Sequence, residues 1–104
     1  MMLYTTTLTT PPGTPNYAPV QAIIRPTSRH MIRAVIQFPP GTLGSVYARV
    51  LDYGMQLIPL AGWVNNDMDI FTDRWLSNPP YIVFETYSLA RDWPHTITLQ
   101  LDLI

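Results

Sequence analysis

The chain has 104 residues, of which 47% are hydrophobic and 12% charged, with seven acidic against six basic residues and a net charge of -1. That is one domain's length with apolar content for one core, which argues against a two-domain enzyme, a disordered chain and a polyanion binder steered by global charge. There is no cysteine, hence no disulfide framework, thiolate nucleophile or cysteine zinc site, and every basic residue is arginine.

Residues 1–17 come first. They are rich in threonine and proline, offer little to bury, and are expected to form an extended arm that stays loose or orders on a neighbouring subunit. Met1 to Thr10 lacks the basic and long apolar regions of a signal peptide, and no stretch approaches the ~20 apolar residues of a membrane span. A soluble chain is expected.

Residues 18–104 are predicted to form the folded domain. Val20 to Ile24 is a short strand closed by Pro26. His30 to Phe38 alternates, with Ile32, Ala34, Ile36 and Phe38 on one face and Met31, Arg33, Val35 and Gln37 on the other, until Pro39-Pro40-Gly41 ends it. Val46 to Tyr53 sets Val46, Ala48 and Val50 against Tyr47, Arg49, Leu51 and Tyr53. Asp52-Tyr53-Gly54 is then a tight hairpin into Met55 to Ile58. Leu60 to Asp69 reads as a loop carrying Trp63.

Ile70 to Leu76 and Tyr81 to Tyr87 are further strands, separated by Asn78-Pro79-Pro80, and Arg91 to Pro94 makes the last turn. The clearest strand is His95 to Leu103, where Ile97, Leu99, Leu101 and Leu103 alternate with Thr96, Thr98, Gln100 and Asp102. Burying those four apolar side chains contributes roughly 6 to 12 kcal/mol gross. About seven to eight brief strands predict an all-β fold, an antiparallel two-sheet sandwich of jelly-roll type, with an OB-like barrel as the structural alternative.

Reactive constellations are sparse. The two histidines, His30 and His95, lack a serine elbow, so ring hydrogen bonds at strand starts account for them better than catalysis. Asp67, Asp69 and Asp73 near Asn65-Asn66 invite a calcium reading, but the glycine and terminal glutamate of an EF-hand loop are missing. Glu85 and Asp52 cannot be set across a cleft from sequence alone. No catalytic, cofactor or metal residue is assigned, and a non-enzyme is expected.

Aromatic and arginine residues are the remaining lead, because Tyr, Trp, Met and Arg are enriched and Lys depleted at protein interfaces. The interface candidates are Tyr4, Tyr17, Arg33, Tyr47, Arg49, Trp63, Arg74, Trp75 and Trp93. Trp63 with Tyr87 is also a candidate platform for stacking a sugar ring, against the simpler account that loop tryptophans cap the open ends of a sandwich.

The ordered string Phe38-Pro39-Pro40-Gly41, Val50-Leu51-Asp52-Tyr53-Gly54, Gln56-Leu57-Ile58-Pro59, Pro79-Pro80-Tyr81 and Trp93-Pro94-His95-Thr96 resembles small β-sandwich proteins of bacteriophages and related viruses. Those are virion components, either capsid decoration (cement) proteins or spike and tail accessories. The resemblance spans about residues 18 to 103 and lies on strand and turn residues. Together with a lysine-free, low-charge, aromatic-rich surface that gains by being covered, it points to a homo-oligomeric virion protein whose partners are itself and the major capsid protein. The near-zero net charge and the lack of an apolar span argue against nucleic-acid and membrane partners, and no cofactor or catalytic residue comes with the resemblance.

Overall fold

The computed structural model describes residues 2–104. Among the described residues eight strands are present: β1 Met2–Thr10, β2 Val20–Ile24, β3 His30–Gln37, β4 Val46–Asp52, β5 Met55–Ile58, β6 Met68–Trp75, β7 Ile82–Ser88 and β8 His95–Leu103. They form two four-stranded antiparallel sheets, sheet A in the order β1-β8-β3-β6 and sheet B in the order β2-β7-β4-β5. The pairs β1–β8, β2–β7, β3–β6 and β4–β5 fall alternately in the two sheets, as they must when one long antiparallel ribbon is rolled up on itself. That is the jelly-roll order. A single closed OB-like barrel is ruled out by the two separate sheets.

Alternation explains the core. Ile97, Leu99, Leu101 and Leu103 of β8 are fully buried, and across the gap Ile82 and Phe84 of β7 with Val46, Ala48 and Val50 of β4 complete the apolar layer. β8 lies between β1 and β3, and β7 between β2 and β4, so the two most regular strands are interior in their sheets. The β4–β5 hairpin turns at Tyr53 and Gly54, both at positive φ (49° and 78°), the pair of conformations that matches the strand twist in a two-residue turn.

Two expectations need correction. The proposed arm is no arm beyond its first residue, Met1, which lies outside the described residues: Met2–Thr10 is an edge strand paired with β8 over its whole length, and Thr10 is buried with its hydroxyl 2.6 Å from that of Thr86 on the opposite sheet. Removing the first fifteen residues would therefore strip a strand from the sandwich. The second correction concerns β3, where Met31 is in the core and Ile32 is half-buried. The register shifts between Met31 and Arg33 against both neighbouring strands, and this bulge resets the inside-outside phase. Arg33, Val35 and Gln37 keep their outward phase.

Candidate interaction surfaces

The outer face of sheet B gathers the densest polar and aromatic cluster. Register places Arg49 opposite Glu85, Gln21 opposite Glu85, and Tyr47 opposite Tyr87. Glu85 is 6% exposed and accepts from Gln21 Nε2 at 2.5 Å on one oxygen and Arg49 Nε at 2.7 Å on the other. The Arg49 guanidinium also lies over the Trp63 ring at 4.2 Å, Tyr87 meets Trp63 edge-on, and Tyr47 stacks on Tyr87 at 4.7 Å. Burial, with a smaller contribution from Tyr47, raises the Tyr87 phenol above its ordinary pKa.

Trp63 is anchored rather than free. Val64 and Ala48 exchange backbone hydrogen bonds at 2.8 and 2.9 Å, so the segment expected to be a loop extends the edge of sheet B beside β4. One side of the indole is covered by Arg49.

Sheet A presents two unlike halves outward. On β1 and β8 the outward residues are mostly hydroxyls, Thr5, Thr7, Thr9, Thr96 and Thr98, with Thr9 and Thr96 hydrogen-bonded at 3.0 Å. On β3 and β6 they are charged and aromatic. Arg33 grips Asp69 with two hydrogen bonds, 2.9 and 2.7 Å, and lies 5.1 Å from the centre of the Phe71 ring. His30 pairs with Asp73 and stacks on Trp75, ring centres 4.6 Å apart. Phe71 is 80% exposed and Trp75 67%. The hydrogen bond from Arg33 holds the Asp69 carboxyl below its usual pKa, and raises that of Arg33 in return.

The sandwich ends are also apolar. Tyr17, Leu43, Leu89 and Trp93 stand exposed on the loops β1–β2, β3–β4 and β7–β8, and Leu43 sits at φ 47° with 95% of its surface in solvent. At the other end Tyr53 is 61% exposed, tilted against Tyr81 at 5.4 Å, and Arg25 lies over Tyr81 at 5.0 Å. These residues with Pro79 and Pro80 line a cleft of about 460 Å³. Beneath it, buried Asp52 accepts the backbone N–H groups of Ser77 (2.7 Å) and Tyr81 (3.1 Å), which fixes the β6–β7 connection.

The nine sequence candidates therefore scatter. Tyr47, Arg49 and Trp63 meet on sheet B, Arg33 and Trp75 on sheet A, and Tyr17 and Trp93 on the loop end. Arg74 reaches Met55 Sδ at 3.9 Å beside a groove of about 340 Å³ between the β5 and β6 edges. Tyr4 packs against the core, and its hydroxyl accepts from the Thr27 amide at 3.2 Å. Phe71 and the Glu85 hub were not among the candidates. An isolated acid in an alternating strand reads as solvated surface, and only the register with Gln21 and Arg49 reveals the hub.

The acidic residues do not converge. Asp67 accepts from the Phe38 amide, Asp69 is held by Arg33 and Asp73 by His30. Among the described residues no three or more His, Cys, Asp or Glu side chains cluster as metal ligands. Asp52 faces inward from β4 while Glu85 faces outward from β7, so they lie on opposite sides of sheet B. No helix among the described residues is long and apolar enough to cross a membrane. No protein-family model matches the chain, and comparison with curated proteins and with solved structures gives no match.

Proposed function

We propose that the chain is a non-enzymatic structural protein of a virus particle, a capsid decoration (cement) or minor capsid component that stabilises the shell by bridging neighbouring subunits. The observation that carries this reading is the pair Leu43 and Tyr53. Both are large apolar residues at positive φ, where an L side chain crowds its own backbone and glycine or asparagine is favoured, and both are mostly exposed. Folding gains little from an apolar side chain at such a place: Leu43 buries almost none of its surface, and Tyr53 keeps only its tilted contact with Tyr81. A partner that covers it gains more.

Their positions matter as well, since they flank β4 and stand at opposite ends of the sandwich. A binder of one ligand needs one patch, whereas a subunit fitted between neighbours needs several, as repeated copies in a shell do. The lysine-free surface and the resemblance to phage sandwich proteins agree with this reading.

The test is co-sedimentation with capsid shells of the virus whose genome carries the chain. Leu43→Asn should leave stability equal or higher, because asparagine tolerates the left-handed backbone, and Tyr53→Asn, which gives up the Tyr81 contact for the same relief, should change it by less than about 1 kcal/mol, while shell affinity falls about tenfold or more for each. Absence of shell binding by the intact chain, or binding indifferent to both changes, rules the reading out.

A second reading is a carbohydrate- or receptor-binding module, favoured by the Trp63, Tyr87 and Tyr47 cluster on sheet B. Trp63→Ala separates the two. A glycan site loses glycan affinity at unchanged stability, whereas the packed ring over Arg49 costs about 1 to 3 kcal/mol of stability when removed.

A further inference from the structure

Among the described residues, four strand edges of the sandwich lie unpaired: β1 and β6 in sheet A, β2 and β5 in sheet B. An unpaired edge is a row of free N–H and C=O groups that templates association, and folded proteins blunt it by shortness, charge, proline or a bulge. β2 and β5 are short, five and four residues, and β2 is framed by Pro19 and Pro26. β6 is eight residues long but carries Asp69, Asp73 and Arg74 and an irregular register. β1 has none of these devices. Its nine residues, Met-Leu-Tyr-Thr-Thr-Thr-Leu-Thr-Thr, contain no charge, proline or glycine, and it pairs with β8 in unbroken register.

We infer that β1 is a self-association edge, and that two copies of this chain join β1 to β1 antiparallel about a two-fold axis, making one continuous eight-stranded sheet from the two A sheets. The occupant is a second copy because the strand is complementary to itself. A two-fold perpendicular to the sheet keeps outward residues opposite outward residues, and with Thr6 on the axis it sets Thr5 against Thr7 and Leu3 against Thr9 on the outer face. Tyr4 then meets Leu8 on the inner face. Every cross-strand pair is uncharged, threonine is opposed to threonine, and no like charges meet in any neighbouring register. About half of the β1 residues direct their N–H and C=O away from β8, and among the described residues the backbone hydrogen bonds outside the sheets reach none of them. The same pairing about β6 opposes Asp69 to Asp73 when centred on Phe71. This inference depends on the strand edges alone, so the dimer forms in free solution whether or not a capsid is the protein's destination.

Sedimentation equilibrium of the full chain tests it. The intact protein should sediment at twice its 11.9 kDa mass. Thr5→Lys/Thr7→Lys and Thr5→Glu/Thr7→Glu alter exposed outward side chains, and each should weaken self-association roughly tenfold or more through like charges opposed across the edge. Mixed in equal amounts, the two variants should return to the dimer mass. Near-UV circular dichroism distinguishes a lost dimer from a lost fold. Amide exchange of the unaltered chain gives a second reading: outward β1 amides should be slowed at high concentration and released on dilution. A monomeric intact chain, charged variants that keep the full dimer mass, or β1 exchange indifferent to concentration overturns the inference. Loss of shell binding with the dimer intact would instead count against the virion reading alone.

Discussion

The two borders of sheet A, β1 and β6, are nearly equal in length and have the same freedom to pair, yet they are built on opposite chemistry. β6 exposes Phe71 and Trp75 but sets Asp69 and Asp73 beside them and turns Arg74 toward the groove, so a neighbouring strand would meet charge at several registers. β1 exposes threonine hydroxyls and no charge. Exposed aromatic area is therefore a poor guide to which edge accepts a strand. What matters is whether ionised groups must be desolvated when the ladder forms.

The largest effect expected is on the strand that supports the β1 border. Leu99 of β8 is fully buried, opposite Thr6 of β1 and Ile36 of β3. Leu99→Asp removes its packing, about 2 to 5 kcal/mol, and adds an unpaired buried charge, which together match or exceed a total stability of about 5 to 15 kcal/mol. The variant should show no near-UV dichroism and no cooperative thermal transition. A folded Leu99→Asp protein would mean that the core does not run through β8.

Asp52→Ala is next, and it discriminates between the two borders. The change orphans the Ser77 and Tyr81 amides and should cost about 1 to 3 kcal/mol, read as a lower denaturant midpoint. Ser77 follows β6 and Tyr81 precedes β7, so amide exchange should quicken over 76–81 and remain unchanged in β1. Asp52→Asn, which keeps a carbonyl acceptor, should lose less.

The same contrast shows what was legible in the sequence. β2 and β8 were found at their true limits, because five or more alternating residues between turn formers leave little choice of face. β1 is not visible in the alternation because Thr5, Thr6 and Thr7 put the same residue on both faces, and hydrophobic period is then silent. Its β-branched run was the signal available. The outward place that alternation predicts for Met31 fails because a bulge shifts phase without changing composition. The aromatic and arginine types of the surface were visible in the sequence, but the grouping of Arg49, Glu85, Gln21 and Trp63 depends on the register of β2, β4 and β7, which pairing across the fold sets.

If charge is what guards β6, removing it should make β6 resemble β1. Asp69→Asn/Asp73→Asn removes the Arg33–Asp69 ion pair and alters the His30–Asp73 contact, both made by well-exposed carboxylates. Stability should barely change, while sedimentation should report a new association that persists when Thr5 and Thr7 are both changed to lysine. If the doubly neutralised protein associates no more than the parent, another feature, the irregular register or the inward Arg74, protects that border.

The smallest effect is the pH dependence of the same guard. Asp69 is held below its ordinary pKa by the Arg33 hydrogen bond, so its folded value lies under its unfolded one. Its contribution to stability is then fully present above the unfolded pKa, in the ordinary carboxylate range, and is lost as pH falls through the lower folded value. At neutral pH the guard is complete. In acid, Asp69 should keep its charge to a lower pH than an unpaired aspartate, and Arg33→Gln should move its titration, followed by the carboxyl carbon resonance, back toward the ordinary value. Because both partners are substantially exposed, the accompanying change in stability should be small. A titration of Asp69 that ignores Arg33→Gln would separate this charge from its pair and leave the β6 border guarded by an aspartate acting alone.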